Sequence, residues 1–262
     1  MVTMPRSARL AAWATAWLHD DCTLDDVVNR VCADDEPHNV TDVPGHPSTV
    51  NFVSALTTLR AEGVTSFQVT LPAPGDPVGL GGPADLTADA IDAGEAVLAT
   101  GTTTYALVPD IQVFGPPGDQ GHMVTWRCRP ADSPPAGPNL PEAEQTLAST
   151  LRETGATLAK LDVAAWKPEV AALLDDVRSE PIAEPLPRTF PAKAQVVAAR
   201  SIRLMAVADF ALGDDGGAVT LGSAESRRAA LAPLERAARH ALIAACNSLA
   251  AGSAAGVHHD AR

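Results

Sequence analysis

The stretch 130–141 constrains the fold most strongly, because it separates two halves of the chain with different hydrophobic periodicity. It holds five prolines, which interrupt helices and strands alike. Before it, segments such as 64–71 alternate apolar and polar side chains, as half-buried strands do; after it, apolar residues recur at helical spacing. We therefore predict four parts along the chain: an α+β domain over 1–130, a Pro-rich linker over 131–141, a helical bundle over 142–251, and a flexible tail over 252–262.

The half before the linker is predicted to be a small, mostly antiparallel sheet with helices packed on it. Thr23 suits the cap of a second helix, and Gly63 and Gly94 suit helix ends. Helices are expected over 7–19, from Thr23, from Ser48 or Thr49 to Gly63, and over 85–93. Strands are expected over 64–71, 95–100, 104–114 and 122–129, with glycine breaks that suit turns between antiparallel neighbours. The stretch 34–47 is expected to be a polar loop.

The half after the linker is predicted to be a four-helix bundle. Leucine and valine recur at helical spacing in each of its segments. The four helices are expected over 142–161, from Pro168, over 192–212, and over 224–249. Their alanine-rich faces also suit contact with a protein partner or with a second copy of the chain, giving a homodimer.

Charge and composition exclude several classes of function. The net charge of −13 and the pI near 4.8 argue against non-specific nucleic-acid binding and against binding to an anionic membrane surface, both of which need Lys and Arg. No apolar run approaches the ~18 residues that a membrane span needs. Residues 1–18 lack the apolar block of a secretory signal, so a cytoplasmic location is expected. The preference for Arg over Lys is typical of high-GC bacterial coding.

The four cysteines are scattered, with no Cys-x-x-Cys pair among them. Such spacing in a chain of this length favours reduced thiols over a disulfide framework.

The stretch 72–83 is the first candidate site. It follows a predicted strand, precedes a predicted helix, and is rich in proline and glycine. Its candidate ligand-binding residues are Asp76, Gly79, Gly81 and Gly82. A phosphate site is disfavoured, because the loop has no Lys or Arg and lacks both phosphate-binding glycine spacings. Two interpretations remain open, a rigid loop with φ angles fixed by proline and a recognition loop.

Two arginines form the second candidate site. Arg127 and Arg129 share one face of the last predicted strand, near Ser66, Gln68 and Thr70 if the two strands are neighbours, and Asp110 is a further candidate. Arginine pairs of this kind suit an anionic ligand or an acidic partner. The alternative is that helices cover this face and their acidic residues pair with the arginines.

His38, Asp42 and His46 are candidate metal ligands, since they lie four residues apart. Prolines at 37, 44 and 47 make a helix across them improbable, so the regular spacing loses its meaning. A solvated polar loop is the alternative, and no metal or other cofactor is predicted.

No catalytic motif is recognised, and three functions remain open. The preferred hypothesis is a non-catalytic binding or scaffold protein. The first alternative is an enzyme of unrecognised class, with its site where 72–83 meets Arg127, Arg129 and Asp110. The second alternative is a metal-dependent protein that uses His38, Asp42 and His46.

Overall fold

The computed structural model describes residues 4–160, 186–213 and 221–250, which contain seven helices and six strands. The helices are α1 Arg6–Leu18, α2 Leu24–Cys32, α3 Phe52–Ala61, α4 Ala84–Ala93, α5 Leu140–Lys160, α6 Ala192–Gly213 and α7 Leu221–Cys246. The strands are β1 Asn39–Thr41, β2 Val50–Asn51, β3 Val64–Thr70, β4 Ala96–Gly101, β5 Tyr105–Phe114 and β6 Gly121–Pro130.

The described residues form two compact units. The sheet unit contains Pro5–Gly137, Leu186–Pro191 and residues 246–250, so its chain is discontinuous. The helical unit contains Met4, 138–160, 192–213 and 221–245.

The sheet has six strands in the order β2-β1-β6-β5-β4-β3, so the mixed α+β class is confirmed and the predicted number of four strands is wrong. The four long strands pair antiparallel. The two additional strands are short: β1 pairs parallel with β6 through Asn39 to Thr41, and β2 pairs antiparallel with β1. The expectation of a polar loop over 34–47 missed β1, because two or three residues are too few to show an alternation.

Local capping explains where two of the helices begin. Thr23 caps α2 as predicted: its hydroxyl accepts from the Asp26 N–H, and the Asp26 carboxylate accepts from the Thr23 N–H, which is a capping box. The third helix begins later than predicted, because residues 50–51 form β2 and the Asn51 side chain accepts from the Ser54 N–H. Gly94, in the left-handed region, ends α4.

The two faces of the sheet are covered by different helices. On one face, α4 packs on β4 and β5, and the buried cluster consists of Leu86, Ala90, Ala96, Leu98, Ala106 and Val108. On the opposite face, α1 packs along β3 and β4, and Phe52 of α3 lies against His38, which in turn lies against Trp126.

Glu95, directly before β4, holds the N-terminus of α1 in place. Its Oε2 accepts from the Ser7 N–H at 2.8 Å and from the Ser7 hydroxyl at 2.7 Å. A carboxylate at this end of a helix satisfies an otherwise unpaired N–H and interacts favourably with the helix dipole. This contact supplies the side-chain cap that Pro5, the residue before α1, lacks.

The outer edge of β3 is sealed by side chains rather than by another strand. The Thr15 hydroxyl accepts from the Phe67 N–H and donates to the Phe67 carbonyl, at 2.8 and 2.9 Å. The Asn247 amide accepts from the Val69 N–H at 2.8 Å and donates to the Val69 carbonyl at 3.0 Å. Unpaired N–H and C=O groups at the edge of a sheet can pair with strands of other molecules. The side chains of Thr15 and Asn247 satisfy these groups at Phe67 and Val69, so they are not available for such pairing.

The helical unit contains three of the four predicted helices. A salt bridge of 2.5 Å joins Lys193 of α6 to Glu144 of α5. The buried side chains include Leu147, Val197, Ile202, Leu231 and Leu242. The predicted helix from Pro168 and the predicted tail over 252–262 lie outside the described residues, so a four-helix bundle is not confirmed. Among the helices that are described, none is long and apolar enough to cross a membrane.

Candidate functional site

The predicted arginine pair lies on the sheet face that α4 covers. Arg129 Nη1 is 2.9 Å from Asp89 Oδ2 and 3.4 Å from Asp85 Oδ2, and Arg127 Nη1 is 3.7 Å from Asp89 Oδ2. Both acids belong to α4. The structure therefore gives these arginines acidic partners from the covering helix.

The arginines and the polar residues of β3 share a face but are not neighbours. Arg129 is aligned with Ala106 of β5, Ala106 with Leu98 of β4, and Leu98 with Gln68 of β3. Ala106 of β5 and Leu98 of β4 thus separate the arginines from the polar residues of β3, and β3 and β6 are not the neighbours that a shared site would need.

The loop 72–83 is tied to its surroundings at several points. Asp76 closes a tight turn with Ala73 through two backbone hydrogen bonds of 3.1 and 2.8 Å. The Thr70 hydroxyl donates to the Val78 carbonyl. Leu80 packs against the cluster under α4.

Three of the loop's glycines, Gly79, Gly81 and Gly82, lie where the backbone passes very close to other groups. A Cβ at Gly81 would lie 3.0 Å from the Ser133 carbonyl oxygen, and a Cβ at Gly82 would lie 3.0 Å from Asp132 Oδ2. At Gly79 the nearest atom would be Thr70 Oγ1, at 3.2 Å. Gly79 and Gly82 also have φ values of 79° and 118°, which other residues rarely adopt. These features favour the interpretation of a rigid loop that is packed in place.

Asp110 belongs to a different surface, the outer end of the β5–β6 hairpin. Burial along β5 ends at Pro109, and the side chains beyond it are exposed or half-buried. β4 pairs with β5 only from Tyr105 to Leu107, whereas β5 and β6 stay paired as far as Phe114 and Gly121. The hairpin therefore extends past its neighbour, and we refer to residues 110–114 and 121–123 as the hairpin end.

The hairpin end exposes large apolar side chains. Val113 is 55% exposed, Phe114 46% and Met123 41%. The Phe114 ring lies over Gly121, where an added Cβ would be 2.4 Å from Phe114 Cζ. Because Gly121 has no side chain, the Phe114 ring occupies the space that a side chain would fill. Met123, opposite Gln112, is on the same face as Phe114, whereas Val113, opposite His122, is on the other face. Grouped apolar exposure of this kind marks interaction sites more often than single exposed residues do.

The three candidate metal ligands are in different environments. His38 is buried, Asp42 is exposed with φ 59°, and the exposed His46 contacts the Thr58 hydroxyl at 3.1 Å through Nε2. Across the described ranges, no three His, Cys, Asp or Glu side chains form a group that could hold a metal ion.

His38 instead belongs to a buried polar network centred on Asp35. Arg6 donates to both Asp35 oxygens at 2.6 Å, and His38 Nε2 lies 3.2 Å from Asp35 Oδ2. Trp126 Nε1 donates to His38 Nδ1 at 3.1 Å. An indole nitrogen is only a donor, so Nδ1 carries no proton, and the proton on Nε2 is donated to Asp35.

This arrangement removes His38 from acid–base chemistry. Both ring nitrogens are engaged, and the side chain is 0% exposed. A catalytic base must reach the proton that it abstracts. The Asp35–His38 pair therefore joins α1, β6 and the segment between α2 and β1.

The same contacts set the protonation states of the network. Burial lowers the pKa of His38, and this effect outweighs the contribution of Asp35, which favours the imidazolium. Burial pushes the pKa of Asp35 upward, but the hydrogen bonds from Arg6 and His38 outweigh it and bring the pKa below its usual range. At neutral pH the network thus consists of a neutral imidazole, a carboxylate and a guanidinium.

The four cysteines are free thiols, as predicted; three are buried and Cys22 is half-buried. Burial raises the pKa of Cys22 to about 11 and that of Cys128 to about 12. A thiol with such a pKa is protonated at neutral pH and is a poor nucleophile.

Sequence reasoning missed the hairpin end and the Asp35 network for different reasons. The hairpin end had a signal, because the strands predicted over 104–114 and 122–129 are longer than the one over 95–100 and must extend past it. The network had none, since Arg6 and Asp35 are 29 residues apart and His38 and Trp126 are 88 apart.

Two family models match successive parts of the chain. One, described as Rv1486c-like protein, N-terminal domain, matches residues 7–143, and the other, described as Rv1486c-like protein, C-terminal domain, matches residues 141–243. Comparison with curated proteins and with solved structures gave no match. The first model alone covers more than half of the 262 residues, and the second continues where it ends. The chain therefore belongs to the Rv1486c-like protein family.

Proposed function

We propose that this chain is a non-catalytic binding protein that docks a partner protein on the hairpin end. The observation that carries the proposal is the exposure of Phe114 and Met123 on one face, and of Val113 on the other face, of a hairpin that extends past its neighbouring strand. Aromatic and methionine side chains are enriched at protein interfaces, and an ordered projection supplies them without a cost for ordering a flexible segment.

The polar groups elsewhere in the sheet unit support binding over catalysis. His38 is buried with both ring nitrogens bonded, and Arg127 and Arg129 face the acids of α4. The enzyme site at 72–83, Arg127 and Arg129 stays a prediction, as does the metal site at His38, Asp42 and His46. Asp110, from the same predicted set, lies within the proposed docking surface.

Co-purification with a matched pair of variants tests the proposal. Phe114→Ser removes the central aromatic side chain of the hairpin end, and Val53→Ser removes an exposed apolar side chain of α3, which is 40% exposed. Each untagged variant replaces the wild-type protein in its native organism, and partners are recovered by antibody after crosslinking.

We expect a protein that is recovered with wild type and with Val53→Ser, and whose recovery falls at least tenfold with Phe114→Ser. A partner lost equally with both variants, or with neither, would contradict docking at the hairpin end. Thermal unfolding of both variants establishes that the loss is not caused by unfolding.

A further inference from the structure

The hairpin end has one open backbone edge, and it belongs to β5. On the β6 side, β1 pairs with Thr125 to Arg127, and the Glu36 N–H donates to the His122 carbonyl at 2.9 Å. On the β5 side, β4 pairing ends at Leu107. In the part of the chain that the structure describes, no strand pairs with β5 between Asp110 and Phe114 on the side away from β6.

Pro109 indicates which residues offer their backbone groups along this edge. Proline has no N–H and cannot donate to a ladder, so within a sheet its nitrogen faces away from the paired strand. Pro109 is aligned with Trp126 of β6, and backbone direction alternates along a strand. The N–H and C=O groups of Ile111 and Val113 therefore point outward, away from β6.

The charge of the surroundings defines what such an edge attracts. The sequence has no Lys or Arg from residue 61 to residue 126. The exposed charges of the hairpin are Asp110 on β5 and Asp119 in the connecting turn. An approaching strand thus meets apolar side chains and the Asp110 carboxylate, and neither β5 nor the connecting turn carries a Lys or Arg to bind an acidic segment.

We propose, building on the function proposed above, that the open edge of β5 from Asp110 to Phe114 accepts an extended segment of a partner protein as an added β-strand. The segment carries Lys or Arg beside Asp110 on one face and apolar side chains beside Ile111 and Val113 on the other. Backbone hydrogen bonds to Ile111 and Val113 fix its alignment, as in other cases of strand addition. The net charge of −13 disfavours a second copy of this chain as the occupant, because like charges repel.

The test uses the full-length protein and synthetic ten-residue peptides in fluorescence anisotropy at physiological ionic strength. The first peptide alternates Lys and Val; the second has the same composition with all lysines in one block; the third alternates Glu and Val. A fourth repeats the first with N-methyl groups on every second amide, placed to block the edge that pairs with β5. We expect the first peptide to bind at least tenfold more tightly than each of the others.

Three protein variants locate the binding. Val113→Pro removes one outward N–H without removing a hydrogen bond to β6. We expect it to lower the affinity for the alternating Lys peptide at least tenfold. Asp110→Asn is expected to weaken it about two- to fivefold, the range for an exposed ion pair. Asp119→Asn, in the connecting turn, is the matched control and is expected to leave the affinity unchanged.

Equal binding of the alternating and block Lys peptides, or unchanged binding to Val113→Pro, would overturn the proposal in favour of diffuse charge attraction. Sedimentation that shows a wild-type dimer converted to a monomer by Val113→Pro would overturn it in favour of a second copy. If Phe114→Ser abolishes partner recovery but Val113→Pro does not, docking at the hairpin end stands and only strand addition fails. If neither variant changes recovery, the proposed function itself fails.

Discussion

His38 shows that spacing along the sequence and contacts in the fold can suggest different partners for one side chain. Its spacing with Asp42 and His46 suggested a metal group, but the structure gives its two nitrogens to Asp35 and Trp126. Thr23 and Gly94 behaved as predicted, because a helix cap depends on neighbours within a few residues. Asp35 is three residues from His38, but Trp126 is 88 residues away, and spacing along the sequence carries no information about a partner that distant.

Acidification should destabilise the sheet unit through His38. When unfolded, this imidazole takes up a proton near its ordinary pKa of 6.5, and when folded it does so only at lower pH. The unfolded state therefore holds more protons as the pH falls through 6.5, and the free energy of unfolding decreases, by at most about 1.4 kcal/mol per pH unit for one group. Asp35 further decreases the free energy of unfolding only when the pH falls below its ordinary pKa of 3.8.

Urea unfolding from pH 7 to pH 5 measures this slope. His38→Asn is expected to be less stable at pH 7 and to show a smaller slope than wild type. Val53→Ser, at an exposed position without a titratable side chain, is the control and should retain the wild-type slope. The assignment would be wrong if His38→Asn kept the full slope.

Gly101 is a glycine that the fold requires. A Cβ there would lie 2.0 Å from the Gly63 carbonyl oxygen, so the backbone of β3 or β4 must move to admit it. We expect Gly101→Ala to lower the free energy of unfolding by about 2–3 kcal/mol, as overpacking does. Gly137→Ala, where nothing lies within 4 Å of the added Cβ, should have little effect. Chemical denaturation of both variants gives the comparison, and equal stabilities would refute it.

Among the elements, β3 and β5 differ in whether the backbone groups of their outer edges have hydrogen-bond partners. β3 is sealed by Thr15 and Asn247, whereas no strand within the described residues pairs with the outer side of β5 beyond Leu107. The alternation of residues 64–71 predicted β3 well, because half-buried strands have period two. Its place at the edge of the sheet depends on strand order, which follows from pairing across the whole sheet and was not predicted.

Removing the Asn247 side chain should reopen the β3 edge. The backbone of buried Val69 would lose both of its outward hydrogen bonds, which we expect to cost about 1–3 kcal/mol. Hydrogen exchange of the Val69 amide in Asn247→Ala should accelerate relative to wild type. Asn29→Ala, an exposed position on α2, serves as control, and unchanged protection of Val69 would contradict the assigned contact.

In the whole molecule, the sheet unit is built from stretches that are far apart in the sequence. The predicted division at 131–141 stays a prediction; the sheet unit also contains Leu186–Pro191 and the segment after α7. In these pieces Leu186 and Phe190 are buried, and Asn247 binds β3. Periodicity cannot reveal such returns of the chain, because each consists of only a few residues.

A fragment of residues 1–143, the part that ends with the N-terminal family match, should therefore be less stable than the sheet unit in the full chain. It lacks Leu186, Phe190 and Asn247, which leaves apolar surface uncovered and the β3 edge half open. We expect faster exchange of the β3 amides and self-association in size-exclusion chromatography. A monomeric fragment with the full chain's β3 protection would show that these returning pieces are dispensable.

Docking at the hairpin end is tested most directly by photo-crosslinking in the native organism. A benzophenone amino acid replaces Phe114 in the full-length protein and, in a second strain, replaces Val53 as an exposed control. The proposed function predicts one discrete crosslinked protein from position 114 that is absent from position 53. No adduct at position 114, or the same adducts from both positions, would contradict it.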